Sequence, residues 1–407
     1  MMSINTYDVA IIGGGVVGCA VLFELSRQGY SCILCEANPH IMSGASAGNS
    51  GMLHTGFDAP LGSLELACIQ QCQSQIFPIL QNFRIPFEKC GAHVVAWTPD
   101  EKEKLQGLLQ HSNTALVSNA SIISASDLYK SERSLRRGAL GALYVPDEAI
   151  VDSNLLGVCF AHHAKQRRSE ILTNCTVTGF HNKTLTTTQG FVKAAVAVNC
   201  AGLHGDTVDA LAGVQSFDIK PRKGQYCVFG KDSSHILHSM IFPVPNERTK
   251  GTVLFRTVYR NIVMGPTAEE TLDRSRPEPD TEVHKVLAQR ASFLLPHIGH
   301  PIGSYVGVRP ATQWKDYQIK TYPQIGWLTV GGIRSTGVSG SLGIAQYVSD
   351  SLKMDFDLEP SRGGIRRIQD VPWKVGRDGA SVMIDGRSYH MAHPIFQFGH
   401  QKEQSKL

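Results

Sequence analysis

Tyr7-Asp8-Val9-Ala10-Ile11-Ile12-Gly13-Gly14-Gly15-Val16-Val17-Gly18 is the stretch that decides how this chain folds. The apolar run before Gly13 has the character of a strand buried on both faces of a parallel sheet. A helical pattern follows from Cys19 to Gln28, with Ala20, Leu22 and Leu25 apolar, and Gly29 is placed to end it. Ser31 to Cys35 reads as the next strand, closed by Glu36. The unit is a βαβ dinucleotide fingerprint. Gly13 makes the tight turn, Gly15 lets the backbone approach a pyrophosphate, and Gly18 lets the helix pack close to the strand. The helix N-terminus offers amide donors and positive dipole to phosphates. Glu36, 18 residues past Gly18, is placed to accept hydrogen bonds from a ribose diol. An acid there disfavours a 2′-phosphate and so argues against NADP, while NAD and FAD stay open.

Three later segments bear on that choice. Ser43 to Gly56 is a loop of small and polar residues, with Ser46, Asn49, Ser50 and Gly51 able to lie against a flat ring system. Ala194 to Asn199 is another buried strand, and it ends in Cys200-Ala201-Gly202, where a nucleotide has room to pass. Trp327 to Gly332 is a strand leading into a glycine-rich loop with Gly337 and Gly340. A helix begins near Ser341, and its N-terminus is a second anion or carbonyl-oxygen site.

With these segments the chain resembles the D-amino-acid oxidase superfamily of FAD enzymes, and within it the glycerol-3-phosphate oxidases and dehydrogenases. The motifs that carry the resemblance are Gly48 to Asp58, Arg222-Lys223-Gly224-Gln225-Tyr226, Val244-Pro245, Lys250-Gly251, Gly265-Pro266-Thr267-Ala268, Gly307-Val308-Arg309-Pro310 and the Gly331 to Gly343 loop. They span about residues 7 to 355. L-2-hydroxyglutarate dehydrogenases share much of this pattern, including the segment around His54. The resemblance implies FAD along the three strands and hydride transfer from a carbinol carbon to the flavin. It also implies His54 as the base and Lys250 as a second catalytic group. Lys250 favours a phosphorylated substrate, whereas an arginine at position 256 is similar to the hydroxyglutarate branch.

The residues speak for themselves as well. Oxidising an alcohol needs a base for the hydroxyl proton, and histidine titrates in the useful range near pH ~6.5. His54 lies between Gly51 and Gly56 in the loop expected beside the cofactor. Arg309, ahead of Pro310, is a guanidinium at a strand end, suited to gripping a carboxylate or phosphate with paired hydrogen bonds. Arg256 is a second candidate for substrate binding. Lys250 stands in Glu247 to Gly251, which also reads as a charged turn. His162 and His163 on a helix read as surface residues.

The 407 residues are 42% apolar and 18% charged, ample for a large core. Lys plus Arg is 39 against 35 for Asp plus Glu, a net charge of +4 with no concentrated basic patch, so nucleic acid is not expected. Ten cysteines run from Cys19 to Cys227 and read as reduced thiols, with Cys32 and Cys35 inside a buried strand and no metal site expected. Without cysteine in the C-terminal flavin loop, FAD is expected to be non-covalent. The polar start to Asp8 reads as no secretory leader, and no stretch reads as a membrane span. Ser405-Lys406-Leu407 reads as the address recognised by the peroxisomal import receptor, with oxygen then the natural electron acceptor and hydrogen peroxide the product.

The expected fold class is α/β, a Rossmann-like FAD-binding domain interleaved with an α+β substrate domain built on an antiparallel sheet. Residues 1–85, 145–215 and 325–360 are assigned to the FAD domain, and 86–144 and 216–324 to the substrate domain. The tail 361–407 reads as a weakly basic surface stretch or subunit contact, and Ser118 to Arg137 as an exposed excursion. The leading expectation is oxidation of glycerol 3-phosphate to dihydroxyacetone phosphate. L-2-hydroxyglutarate, an amino acid or amine, and a flavin-binding protein without turnover are the alternatives. The oligomeric state is not legible.

Overall fold

The computed structural model describes residues 6–245, 251–275, 277–364 and 367–400. Its first sheet has a parallel core in the order Glu170–Leu172, Cys32–Cys35, Thr6–Ile12, Gly190–Asn199, Trp327–Gly331. Ile12 is level with Cys35 on one side and Asn199 on the other, so the strand ends converge at one edge. In an open parallel sheet, that edge is where a ligand binds. Gln318–Tyr322 pairs antiparallel with Trp327–Gly331. The division between domains therefore falls before Gln318 on this side, not at 325, because this hairpin belongs wholly to the first sheet.

The first helix, Val16–Gln28, starts three residues before its apolar pattern does, since the Gly15 to Gly18 turn carries no polar cap to mark the start. It ends as expected at Gly29, whose φ of 100° is the left-handed conformation glycine favours and whose N–H donates to the carbonyls of Leu25 and Ser26. Helix Ser153–Gln166 begins at the Asp152 cap, whose carboxylate accepts from the amides of Asn154 and Leu155 at 3.1 and 2.9 Å. Burial pushes the Asp152 carboxyl above its ordinary range, and Tyr259 donates a hydrogen bond to it.

The second sheet has nine strands and is mostly antiparallel. Lys220–Phe229 pairs along its length with Pro301–Ala311, and on its other edge with Ile262–Gly265 and Glu269–Glu270. Val253–Arg256, Met240–Pro243, Ala92–Ala96, Gly141–Val145 and Ser121–Ile123 complete it. Ser118 to Arg137 is thus no free excursion: it supplies the edge strand and helix Ala125–Ser131, with Leu128 and Leu135 buried against the sheet. A small third sheet, Met52–Leu53, Ala149–Val151 and Phe87–Glu88, joins the two halves.

The tail also departs from expectation. Trp373–Val375, Ser381–Ile384 and Arg387–His390 form a three-stranded meander, and Val371, Val382, Ile384, Met391 and Phe396 join the main core. His162 is buried beneath the meander and His163 in the core against Phe23 and Phe83, so neither is exposed. The His162 ring bonds the Tyr389 hydroxyl and the Asp385 carboxylate, both at 2.9 Å. All ten cysteines are free thiols, with Cys32 and Cys35 in their buried strand. Among the described residues no helix is long and apolar enough to cross a membrane.

Candidate active site

The carboxyl ends of the parallel strands open into a cavity of ≈ 1980 Å³ lined by both large sheets. This is well above the roughly 300–1,000 Å³ of a single small-molecule site, and so has room for a dinucleotide and a substrate together. Gly13, Gly15, Glu36, Ser46, Asn49, Ser50, Ala201, Gly202 and Gly337 all line it, as do His54 and Arg309.

At one end, the first helix points its N-terminus into the cavity with no side-chain cap from Gly15 and no acid in its first turn. That leaves its positive end open to phosphates. A Cβ at Gly13 would sit 2.6 Å from the Cys200 carbonyl oxygen, and one at Gly18 would overlap the Gly13 carbonyl oxygen. The glycines therefore hold turn, helix and neighbouring strand together. Glu36 is buried, accepting from the Gly14 amide at 2.6 Å and from the Asn38 amide and side chain at 2.8 and 2.7 Å. Ser46 accepts from the Val16 amide at 3.0 Å. A Cβ at Gly202 would meet no protein atom within 4 Å. A helix N-terminus free of acids in its first turn, a fixed carboxylate one strand away and unfilled space beside Gly202 fit the pyrophosphate and ribose of FAD.

Gly18 packs on Gly13, as its place in the fingerprint implies. Three glycines expected to touch the cofactor lie behind this surface instead. Gly51 has φ 69° and would place a Cβ 2.8 Å from the Val151 carbonyl oxygen. Gly332 turns against Gln318, and Gly340 precedes helix Ser341–Met354 with no space beside the Tyr317 hydroxyl. They set the backbone rather than line the cavity. Asn49 lines it but is already engaged: it donates to the Ser46 carbonyl at 2.7 Å and accepts from the Gly51 amide and Ser153 hydroxyl at 2.7 and 2.9 Å.

His54 and Arg309 line the same cavity. His54 Nδ1 lies 2.9 Å from the Glu148 carboxylate, its amide donates to Ser339 at 2.8 Å, and its carbonyl accepts from Gln73 at 2.8 Å. Arg309 donates to the Thr267 carbonyl at 2.9 Å and bonds the Tyr226 hydroxyl. Gly224 makes room for the guanidinium, since a Cβ there would lie 2.5 Å from it. Burial pulls the Arg309 pKa down from its usual value. Arg222 stands directly opposite Arg309 in the register and also lines the cavity. Among the described residues no carboxylate forms an ion pair with either arginine. The two guanidiniums offer an anion a pair of adjacent cations, with Glu270 opposite Arg222 on its other edge.

Arg256 is not brought to this pair. It is absent from the cavity lining and pairs with Glu88, because its strand ends against the small third sheet. Lys250 and Ser405-Lys406-Leu407 lie outside the described residues. Sequence reasoning missed Glu148 and gave Arg222 no role. Only the position of Arg222 inside a quoted motif could have flagged it.

A Rossmann-type crevice roofed by an antiparallel sheet, with His54, Arg222 and Arg309 in its lining, is the architecture of a flavin-dependent oxidoreductase. The chain belongs to the FAD dependent oxidoreductase family (DAO), whose profile matches residues 8–351. It is 27% identical to the glycerol 3-phosphate dehydrogenase of Caloramator mitchellensis, over 85% of this chain and 74% of that one. It is also 27% identical to the mitochondrial L-2-hydroxyglutarate dehydrogenase of Caenorhabditis elegans, over 64% and 63%. A dithionite-reduced L-alpha-glycerophosphate oxidase from Mycoplasma pneumoniae with FAD bound superposes with a TM-score of 0.83 and 25% identity, covering 91% of this chain and 100% of that one.

Proposed function

We propose that the chain oxidises the secondary alcohol of a small anionic substrate, glycerol 3-phosphate first, to the ketone. The observation that carries this is that His54, Arg309 and Arg222 line the same cavity as the residues built for FAD. Bound FAD supplies the acceptor for the hydride that leaves the carbinol carbon. His54 takes the hydroxyl proton, so that the carbonyl forms as the hydride departs. Arg309 and Arg222 hold the anionic group and thereby fix which face of the carbinol carbon is presented. Lys250 is a second group for the phosphorylated end. The relatives named for glycerol 3-phosphate favour this substrate over hydroxyglutarate. Arg256, paired with Glu88 and outside the cavity lining, lends the hydroxyglutarate reading no support. FAD is held non-covalently in this reading, oxygen is the terminal acceptor, and hydrogen peroxide is the product. Ser405-Lys406-Leu407 directs the chain to the peroxisome, and a fluorescent fusion without those three residues should stay in the cytosol.

The test is anaerobic bleaching of the flavin by glycerol 3-phosphate, L-2-hydroxyglutarate and a mixture of D-amino acids, with air readmitted afterwards. Fast bleaching by glycerol 3-phosphate, with colour and peroxide returning in air, is expected. Bleaching by hydroxyglutarate alone would move the substrate to a dicarboxylate, and bleaching by amino acids alone would remove the need for a base.

A further inference from the structure

The small third sheet does more than join the domains. Met52 pairs with Ile150 and Leu53 with Ala149, antiparallel. The next residue of each strand brings His54 opposite Glu148, 94 positions away in sequence. The Glu148 side chain is 0% exposed, while that of His54 is 21% exposed and reaches the cavity. One carboxylate oxygen lies 2.9 Å from His54 Nδ1. The other accepts from the Thr55 amide at 2.6 Å and the Thr55 hydroxyl at 2.8 Å. Two donors fix one oxygen of this buried carboxylate, and the other oxygen faces His54 Nδ1.

We propose that Glu148 is the positioning residue for His54. The inference rests on the reading of His54 as the base. An ionised carboxylate only accepts hydrogen bonds, so the proton of the neutral imidazole sits on Nδ1 and Nε2 keeps its lone pair. That is the tautomer a base needs. Once Nε2 has taken the hydroxyl proton the ring is a cation, and the buried Glu148 carboxylate beside it stabilises that charge where water does so poorly. The proton taken from the substrate remains on His54 Nε2.

Glu148→Gln keeps shape and volume but reverses this arrangement. Its single carbonyl oxygen is held by the two Thr55 donors, which turns its amide toward Nδ1 and forces the proton onto Nε2. Anaerobic flavin reduction by glycerol 3-phosphate should slow by roughly 10²–10⁴-fold, the range for losing a correctly poised base. KM and flavin content should change little. Glu148→Asp, which keeps the charge, should recover part of the rate. The readout independent of turnover is ¹⁵N NMR of the histidine rings, with the His54 signal assigned by its loss in His54→Gln. Wild type should show the Nδ1–H tautomer and Glu148→Gln the Nε2–H tautomer. A wild-type His54 carrying its proton on Nε2 would overturn the proposal even if Glu148→Gln failed to fold. So would a fast Glu148→Gln enzyme whose His54→Gln counterpart is slow. A fast His54→Gln enzyme would instead overturn the base itself, and Glu148 would fall with it.

Discussion

Arg309 and Arg256 are both arginines near the end of a strand, yet only one faces the cavity. Arg309 is held flat by the Thr267 carbonyl, the Tyr226 hydroxyl and the gap at Gly224. Hydrogen bonds to a charged group contribute about 1.5–3 kcal/mol. Arg309→Ala should therefore lower kcat/KM for glycerol 3-phosphate by roughly 10- to 150-fold, mostly through KM. Arg309→Lys should restore only part of this, because a lysine lacks the planar fork. Arg256→Gln should leave KM unchanged, and steady-state kinetics of the three variants decides the matter. An equal loss in Arg256→Gln would return that residue to the substrate. The glycines of the first turn and Glu36 were legible because their roles are local and their spacing is fixed by one βαβ unit. Glu148 was not, since nothing in Pro146-Asp147-Glu148-Ala149 betrays a partner in another strand pair. Arg256 misled because a short strand read from sequence does not say which of its faces meets the ligand.

The elements are locked together where backbone meets backbone. The turn Ala45–Gly48, which carries Ser46, lies directly on strand Pro301–Ala311, which carries Arg309. A Cβ at Gly307 would overlap the Gly48 carbonyl, and one at Gly48 would overlap Gly307 and lie 2.7 Å from the Val306 carbonyl oxygen. This glycine-on-glycine contact sets how far the strand that carries Arg309 stands from the turn that carries Ser46. Both glycines sit in motifs visible in the sequence, but that they meet each other is a fact of tertiary packing. Gly307→Ala must push the turn away from the strand, an overpacking that costs about 1–3 kcal/mol. Purified Gly307→Ala protein should carry less flavin, read from its visible absorbance relative to 280 nm, and its melting temperature should fall. Full flavin content with unchanged melting would show the contact to be slack.

Over the whole molecule, the tail, the first helix and helix Ser153–Gln166 share one core, and His163 sits at its centre. Its ring meets Phe23 and Phe83 at 4.9 and 5.8 Å, and its Nε2 accepts from the Gln369 amide at 3.2 Å. Burial first, then the nearby Arg167, Arg27 and His162, pull its pKa down to about 3. His93, buried beside Ser239 and Tyr144, is lowered to about 4 by burial. In the unfolded chain each titrates near ~6.5. As pH falls below that value the unfolded chain binds a proton that the native His163 refuses until about pH 3, so the folded state loses stability across this window. For one such histidine the loss approaches about 1.4 kcal/mol for each pH unit. His163→Asn keeps a hydrogen-bond acceptor but has nothing to titrate. It should melt below wild type at pH 7, through lost packing on Phe23 and Phe83, and the gap should narrow steadily by pH 5. Melting curves of both proteins from pH 7 to 5 measure this difference with the other buried acids common to both. A gap that stays constant would mean that His163 accepts its proton inside the fold, and that the seam between tail and helices opens to water.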